Sequence, residues 1–126
     1  MKVMMFAMAA KAPDMTKPPP PEALTAMHEY NDELEKAGKL VTLGGLMNTR
    51  IRVRFDGTKA TVTDGPFTES KEMVAGYSVL EVSSIEEAIE IAKRSPLAIT
   101  CPPGVDMWIE IRPLFDPALF DPPAAT

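Results

Sequence analysis

Asp64, His28, Tyr30 and Tyr77 are the side chains whose type and setting suit proton transfer in this sequence. A carboxylate can act as general base, an imidazole titrates near neutrality, and a phenol can serve as partner acid. Asp64 opens the segment Asp64-Gly65-Pro66-Phe67-Thr68-Glu69-Ser70-Lys71-Glu72. Its first three residues form a tight turn, where an aspartate also caps backbone amides. Nine such specific residue types are more than a turn needs. Phe67 would anchor the loop, and Glu69 and Lys71 would give it a polar rim. Arg52 and Arg54 alternate along a strand pattern and so share a face. Their guanidinium forks suit a carboxylate or phenolate.

Together these residues point to elimination or isomerisation of a small, aromatic or carboxylated molecule. Asp64 would be the base, with His28 or a tyrosine as acid. Arg52 or Arg54 would hold the anion, and Phe67, Glu69, Lys71 and Tyr77 would complete the binding site. Each residue also has a plainer role: solvated surface for His28, Glu69, Lys71 and the arginines, and core packing for the tyrosines. A non-catalytic ligand-binding or regulatory module is therefore the competing reading.

Composition narrows the classes. The chain has 126 residues, a formal charge of −5, 45% apolar and 25% charged residues. This is ordinary composition for one globular domain. An acidic balance argues against nucleic-acid binding, which needs a basic face. One cysteine, Cys101, excludes an intrachain disulfide and suggests a reducing cytoplasm. One histidine and one cysteine give no metal-ligand cluster, and Gly44-Gly45 lacks the spacing of a phosphate loop. The reading therefore implies no cofactor. No segment has the ~20 apolar residues of a membrane span. The apolar start after Lys2 reads as a buried strand rather than a leader.

The elements follow from patterning. Residues 3–8 are continuously apolar, as in a central strand. Residues 22–37 read as a helix with Leu24, Met27, Asn31 and Leu34 on one face, stopped by Gly38. Residues 40–47 form a strand in which Gly44-Gly45 signals a bulge or a close approach. Residues 51–55 and 59–63 flank the hairpin turn Asp56-Gly57. Residues 74–82 make another strand. Ser84 and Glu87 form a capping box for a second helix with Ile85, Ala88, Ile89 and Ala92 inward. Residues 107–112 alternate, with Met107, Ile109 and Ile111 on one face and Trp108, Glu110 and Arg112 on the other. A Pro-rich tail occupies 116–126, leaving 1–115 as the domain.

This order is a split β-α-β motif with an inserted hairpin, so an α+β fold. Both helices fall on one sheet face. The other face is apolar, and a second copy is its economical cover, giving a homodimer.

The nine-residue segment resembles the signature of the DGPF-domain branch of the YCII-related superfamily. Tyr30-Asn31-Asp32-Glu33-Leu34 with Ala37-Gly38, Gly45-Leu46, Ala75-Gly76-Tyr77, Glu86-Glu87-Ala88-Ile89 and Glu110-Ile111-Arg112-Pro113-Leu114-Phe115 extend the likeness along almost the whole chain. The resemblance implies a ferredoxin-like fold assembled as a dimeric α/β barrel. The superfamily includes a dehydrochlorinase-type enzyme acting on a chlorinated hydroxyquinol, with a His-Asp pair proposed. DGPF members are often encoded near extracytoplasmic-function sigma factors, which implies a link to signalling for the regulatory alternative. Aligned on Gly38, Met27 takes the place of the histidine proposed on the first helix in the YCII branch, and His28 stands about 100° further round.

Overall fold

The chain forms β1 (Lys2–Ala9), α1 (Pro21–Lys36), β2 (Leu40–Gly45), β3 (Ile51–Asp56), β4 (Lys59–Asp64), β5 (Met73–Glu81), α2 (Ile85–Lys93) and β6 (Met107–Pro113). The computed structural model describes residues 1–10, 18–47, 49–64, 73–97 and 104–116. Four strands make an antiparallel sheet in the order β2-β5-β1-β6. That order is the ferredoxin-like split β-α-β, with the β3–β4 hairpin inserted between β2 and β5. The α+β class read from the pattern is the class observed.

The two helices start differently. α1 has no side-chain cap; Pro20 stands at its N-cap, and the Pro20 carbonyl accepts from the amides of Ala23 and Leu24. Pro21 at the first turn removes an amide that would have had no helical partner. α1 ends in a Schellman motif: Gly38 has φ +71°, its amide donates to Glu35, and the Lys39 amide donates to Leu34. α2 has a true cap, with the Ser84 hydroxyl accepting from the Glu87 amide at 3.1 Å. Glu87 reaches back one residue further than a standard capping box, accepting from the Ser83 amide at 3.2 Å.

Two details of the helix faces differ from the pattern. Leu24 is exposed, and the buried side of α1 runs through Ala23 and Leu34. In α2, Ile91 is fully buried and Ile89 is exposed. In each case a neighbour on a turn of 3.6 residues points more directly at the sheet, and an apolar side chain at the stripe's edge stays in water.

Alternation along β1 sets the two sheet faces. Val3 and Met5 join Leu34, Leu80, Val82, Ala88 and Ile91 in the core beneath the helices. Met4, Phe6 and Met8 alternate to the helix-free face, where the register sets them beside Arg112, Glu110 and Trp108 of β6. Tyr30 ties the helices together, its hydroxyl donating to the Ile91 carbonyl at 2.8 Å.

Candidate functional site

A cavity of about 280 Å³ lies between α1 and the sheet. Its floor follows from the strand register. Gly45 of β2 pairs with Gly76 of β5, Gly76 with Ala7 of β1, and Ala7 with Ile109 of β6. Three of the four positions in this cross-sheet row therefore carry no more than a methyl group. The next row brings Leu43, Ser78 and Met5. Met27, Tyr30 and Asn31 of α1 form the roof. Helices and sheets normally interdigitate to crystal-like density, so a row without side chains leaves a void.

The two glycines have different reasons. A Cβ at Gly76 would stand 3.1 Å from the Gly44 carbonyl oxygen, so strand approach holds that position to glycine. A Cβ at Gly45 would meet nothing within 4 Å, and Gly45 is not at positive φ. Backbone geometry does not require glycine there, and the space left by the missing side chain is part of the cavity. The close approach expected from Gly44-Gly45 is real at Gly44, where a Cβ would lie 2.9 Å from Tyr77 Cε1. The β2 bulge lies earlier, between Leu40 and Thr42.

The cavity wall is mainly apolar. Its polar groups include the Asn31 amide and the Ser78 hydroxyl. The Tyr30 phenol is engaged with Ile91, and burial raises its pKa despite the opposing charge of Arg94. A neutral phenol of raised pKa that already donates its proton is a poor acid catalyst. Among the described residues, no Asp, Glu, Lys, Arg or His lines this cavity.

A larger cleft, about 420 Å³ and as open to solvent as the first, lies between α1 and the end of α2, past Glu29, Glu33, Lys39 and Arg94. It is a seam between charged helix surfaces. The smaller cavity is the better ligand site, because it has an apolar floor and two uncharged polar groups.

Among the described residues, Tyr77, His28, Arg52, Arg54 and Asp64 stand on different elements. Tyr77 borders the cavity. By register with Phe6 its side chain belongs to the helix-free face, over Gly44. His28 is exposed on α1, whereas Met27 beside it is in the cavity roof. Arg52 and Arg54 share a face of the separate hairpin, as their alternation required. Asp64 ends β4 opposite Ile51 and is exposed. Phe67, Glu69, Lys71 and Cys101 lie outside the described residues, as does the tail beyond Asp116.

The reading from sequence missed Gly45, Gly76, Ala7, Ser78 and Asn31 as a unit. The signals were present: a polar Asn31 on an otherwise apolar stripe, and glycines inside two strands. What was lacking was the register that puts Gly45, Gly76 and Ala7 in one row.

The profile of the YCII-related domain matches residues 1–111. The chain belongs to the YCII-related family. An uncharacterised protein of Rhizobium meliloti (strain 1021) is 33% identical over 89 residues, which are 69% of this chain and 66% of that protein. The chain thus spans just under two thirds of that relative's length. The family profile runs from β1 into β6 and covers every wall of the cavity.

Proposed function

We propose that this YCII-related protein binds a small, uncharged, ring-containing molecule in the cavity between α1 and the sheet. The observation that carries this is the row Gly45, Gly76, Ala7, which leaves space under Met27, Tyr30 and Asn31. The space, about 280 Å³ and open at the β2 edge where Leu43 and Gly45 are exposed, is large enough for a ring. It fits one or two fused rings. Asn31 and Ser78 supply a hydrogen bond for a hydroxyl, carbonyl or ring N–H. A carboxylate would be desolvated there with no described cation in the wall, which is unfavourable. The reading thus departs from an anion held by Arg52 or Arg54 of the same chain.

The protein works as a homodimer in this reading. Met4, Phe6, Tyr77, Val79 and Trp108 occupy the sheet face opposite the described helices, each partly exposed, and a second copy would complete their cover. Proton-transfer chemistry attaches to Asp64, which ends β4 and leads directly into the nine-residue signature. Asp64 would act on a ligand already held by the cavity. Loss of turnover in Asp64→Asn with ligand binding retained supports that role; unchanged turnover removes it.

The binding claim is tested by thermal shift with indole, phenol and catechol, and with benzoate as the charged comparator. The neutral rings are expected to raise the melting temperature saturably, and benzoate is not. In Gly45→Val, whose new Cβ enters open space, stability holds or rises and the shift disappears. A shift that survives Gly45→Val places the ligand elsewhere and overturns the site.

A further inference from the structure

We infer that the cleft between α1 and the end of α2 is a second binding site, for a small zwitterion carrying an ammonium and a carboxylate on an apolar spacer. One wall is a stripe of α1: Ala26, Glu29, Tyr30, Glu33, Leu34 and Ala37 recur every three or four residues. Across from it stand Arg94, the C-cap of α2, and buried Pro96. Tyr30 bridges the two walls, its hydroxyl donating to the Ile91 carbonyl at 2.8 Å.

The charges of the cleft are sorted by wall. Glu29 and Glu33 are one turn apart on α1, a like-charge spacing that weakens a helix unless a cation relieves it. The nearby lysines are engaged elsewhere, Lys36 with Asp32 at 2.9 Å and Lys39 with Glu87 at 3.6 Å. Glu33 adds only the weakest of the influences on Lys36. Among the described residues, neither Glu29 nor Glu33 forms an ion pair, and Arg94 forms none either. The Arg94 guanidinium stands close enough to the Tyr30 phenol to oppose the rise in its pKa, which sets its charge beside the bridge between the walls.

This arrangement selects the ligand. A simple amine would leave Arg94 unpaired, and a simple anion would face Glu29 and Glu33. A zwitterion satisfies both walls. Its ammonium sits between the two carboxylates, its carboxylate takes the guanidinium fork, and its methylenes lie along Leu34 and Pro96. About 420 Å³ is room enough for a molecule of amino-acid size. The class differs from the neutral ring of the inner cavity, and the two linings share only Tyr30.

The test is titration of the whole chain with γ-aminobutyrate, followed by heteronuclear NMR. Butylamine and butyrate serve as carriers of one charge each. Saturable shifts are expected at the amides of Glu29, Glu33 and Arg94. Each comparator should bind at least about tenfold more weakly, because it leaves one wall unpaired. Glu29→Gln combined with Glu33→Gln, and separately Arg94→Gln, should each weaken γ-aminobutyrate at least about tenfold. High salt should weaken it as well, since all three side chains are exposed. Gly45→Val, which removes the response to indole, should leave this titration unchanged, so the two sites fail separately. Butylamine or butyrate binding as tightly as γ-aminobutyrate overturns the zwitterion. Shifts that stay linear through the millimolar range, or saturable shifts that survive both sets of substitutions, overturn the site. If a variant does not fold, the comparison of the three ligands on the wild type decides alone.

Discussion

Leu80 in the four-stranded sheet is 1% exposed, and Phe55 in the hairpin is 79% exposed. Both sit on strands, both are large and apolar, and both alternate with residues of the opposite face. The difference lies in the next layer. Leu80 sits under helix residues Leu34, Ala88 and Ile91 in one core. Phe55 faces Ala60 across the hairpin and has no layer above it among the described residues. An apolar strand face specifies that something must cover it. It does not specify whether the cover is intramolecular.

Truncations should separate the two regions most sharply. Leu80→Ala or Ile91→Ala is expected to lower stability by about 2–5 kcal/mol, because a fully buried side chain leaves both lost transfer energy and a cavity. Phe55→Ala, measured in urea at high dilution, should change it by less than about 0.5 kcal/mol. Equal costs would mean that the hairpin packs on its own body, and the comparison would fail.

Smaller effects sharpen the account of the body. Ser84→Ala removes the hydroxyl that accepts from Glu87 and should cost about 1 kcal/mol, with α2 fraying first in hydrogen exchange. Tyr30→Phe loses the donor to the Ile91 carbonyl and should also cost about 1 kcal/mol. Since this bond joins the helices over the sheet, the cavity roof loosens too, and ligand affinity is expected to fall along with stability.

The smallest effect is a pH dependence at the α2 cap. The Ser83 amide bonded to Glu87, helped by Lys39 at 3.6 Å, lowers the Glu87 pKa. A depressed carboxylate pKa adds stability at neutral pH, and that stability is lost as pH falls through the folded-state value. Denaturation of wild type and Glu87→Gln at a series of pH values should show a small difference at neutral pH that vanishes in acid. A difference that grew in acid would give the coupling the wrong sign.

Much of the fold was legible because its signals are local. Gly38 stopped α1, Ser84 opened α2, and Asp56-Gly57 turned the hairpin, each through chemistry confined to a few residues. The helix faces were less legible, as Leu24 and Ile89 show, since a stripe edge is decided by what it meets. The site was least legible. Asp64, His28 and the arginines were conspicuous by type, yet the described cavity is built from Gly45, Gly76 and Ala7, which are conspicuous only by what they lack. Only register aligns them, and register joins residues 69 apart in sequence.

The cavity claim is tested most directly by NMR of methionine methyl groups during titration with indole. Met5 and Met27 line the cavity, and Met47 is exposed well away from any core packing, at 78%. The account predicts saturable shifts at Met5 and Met27, none at Met47, and no shifts in Gly45→Val. Saturable shifts elsewhere with Met5 and Met27 silent, or shifts at Met5 and Met27 that persist in Gly45→Val, would contradict it.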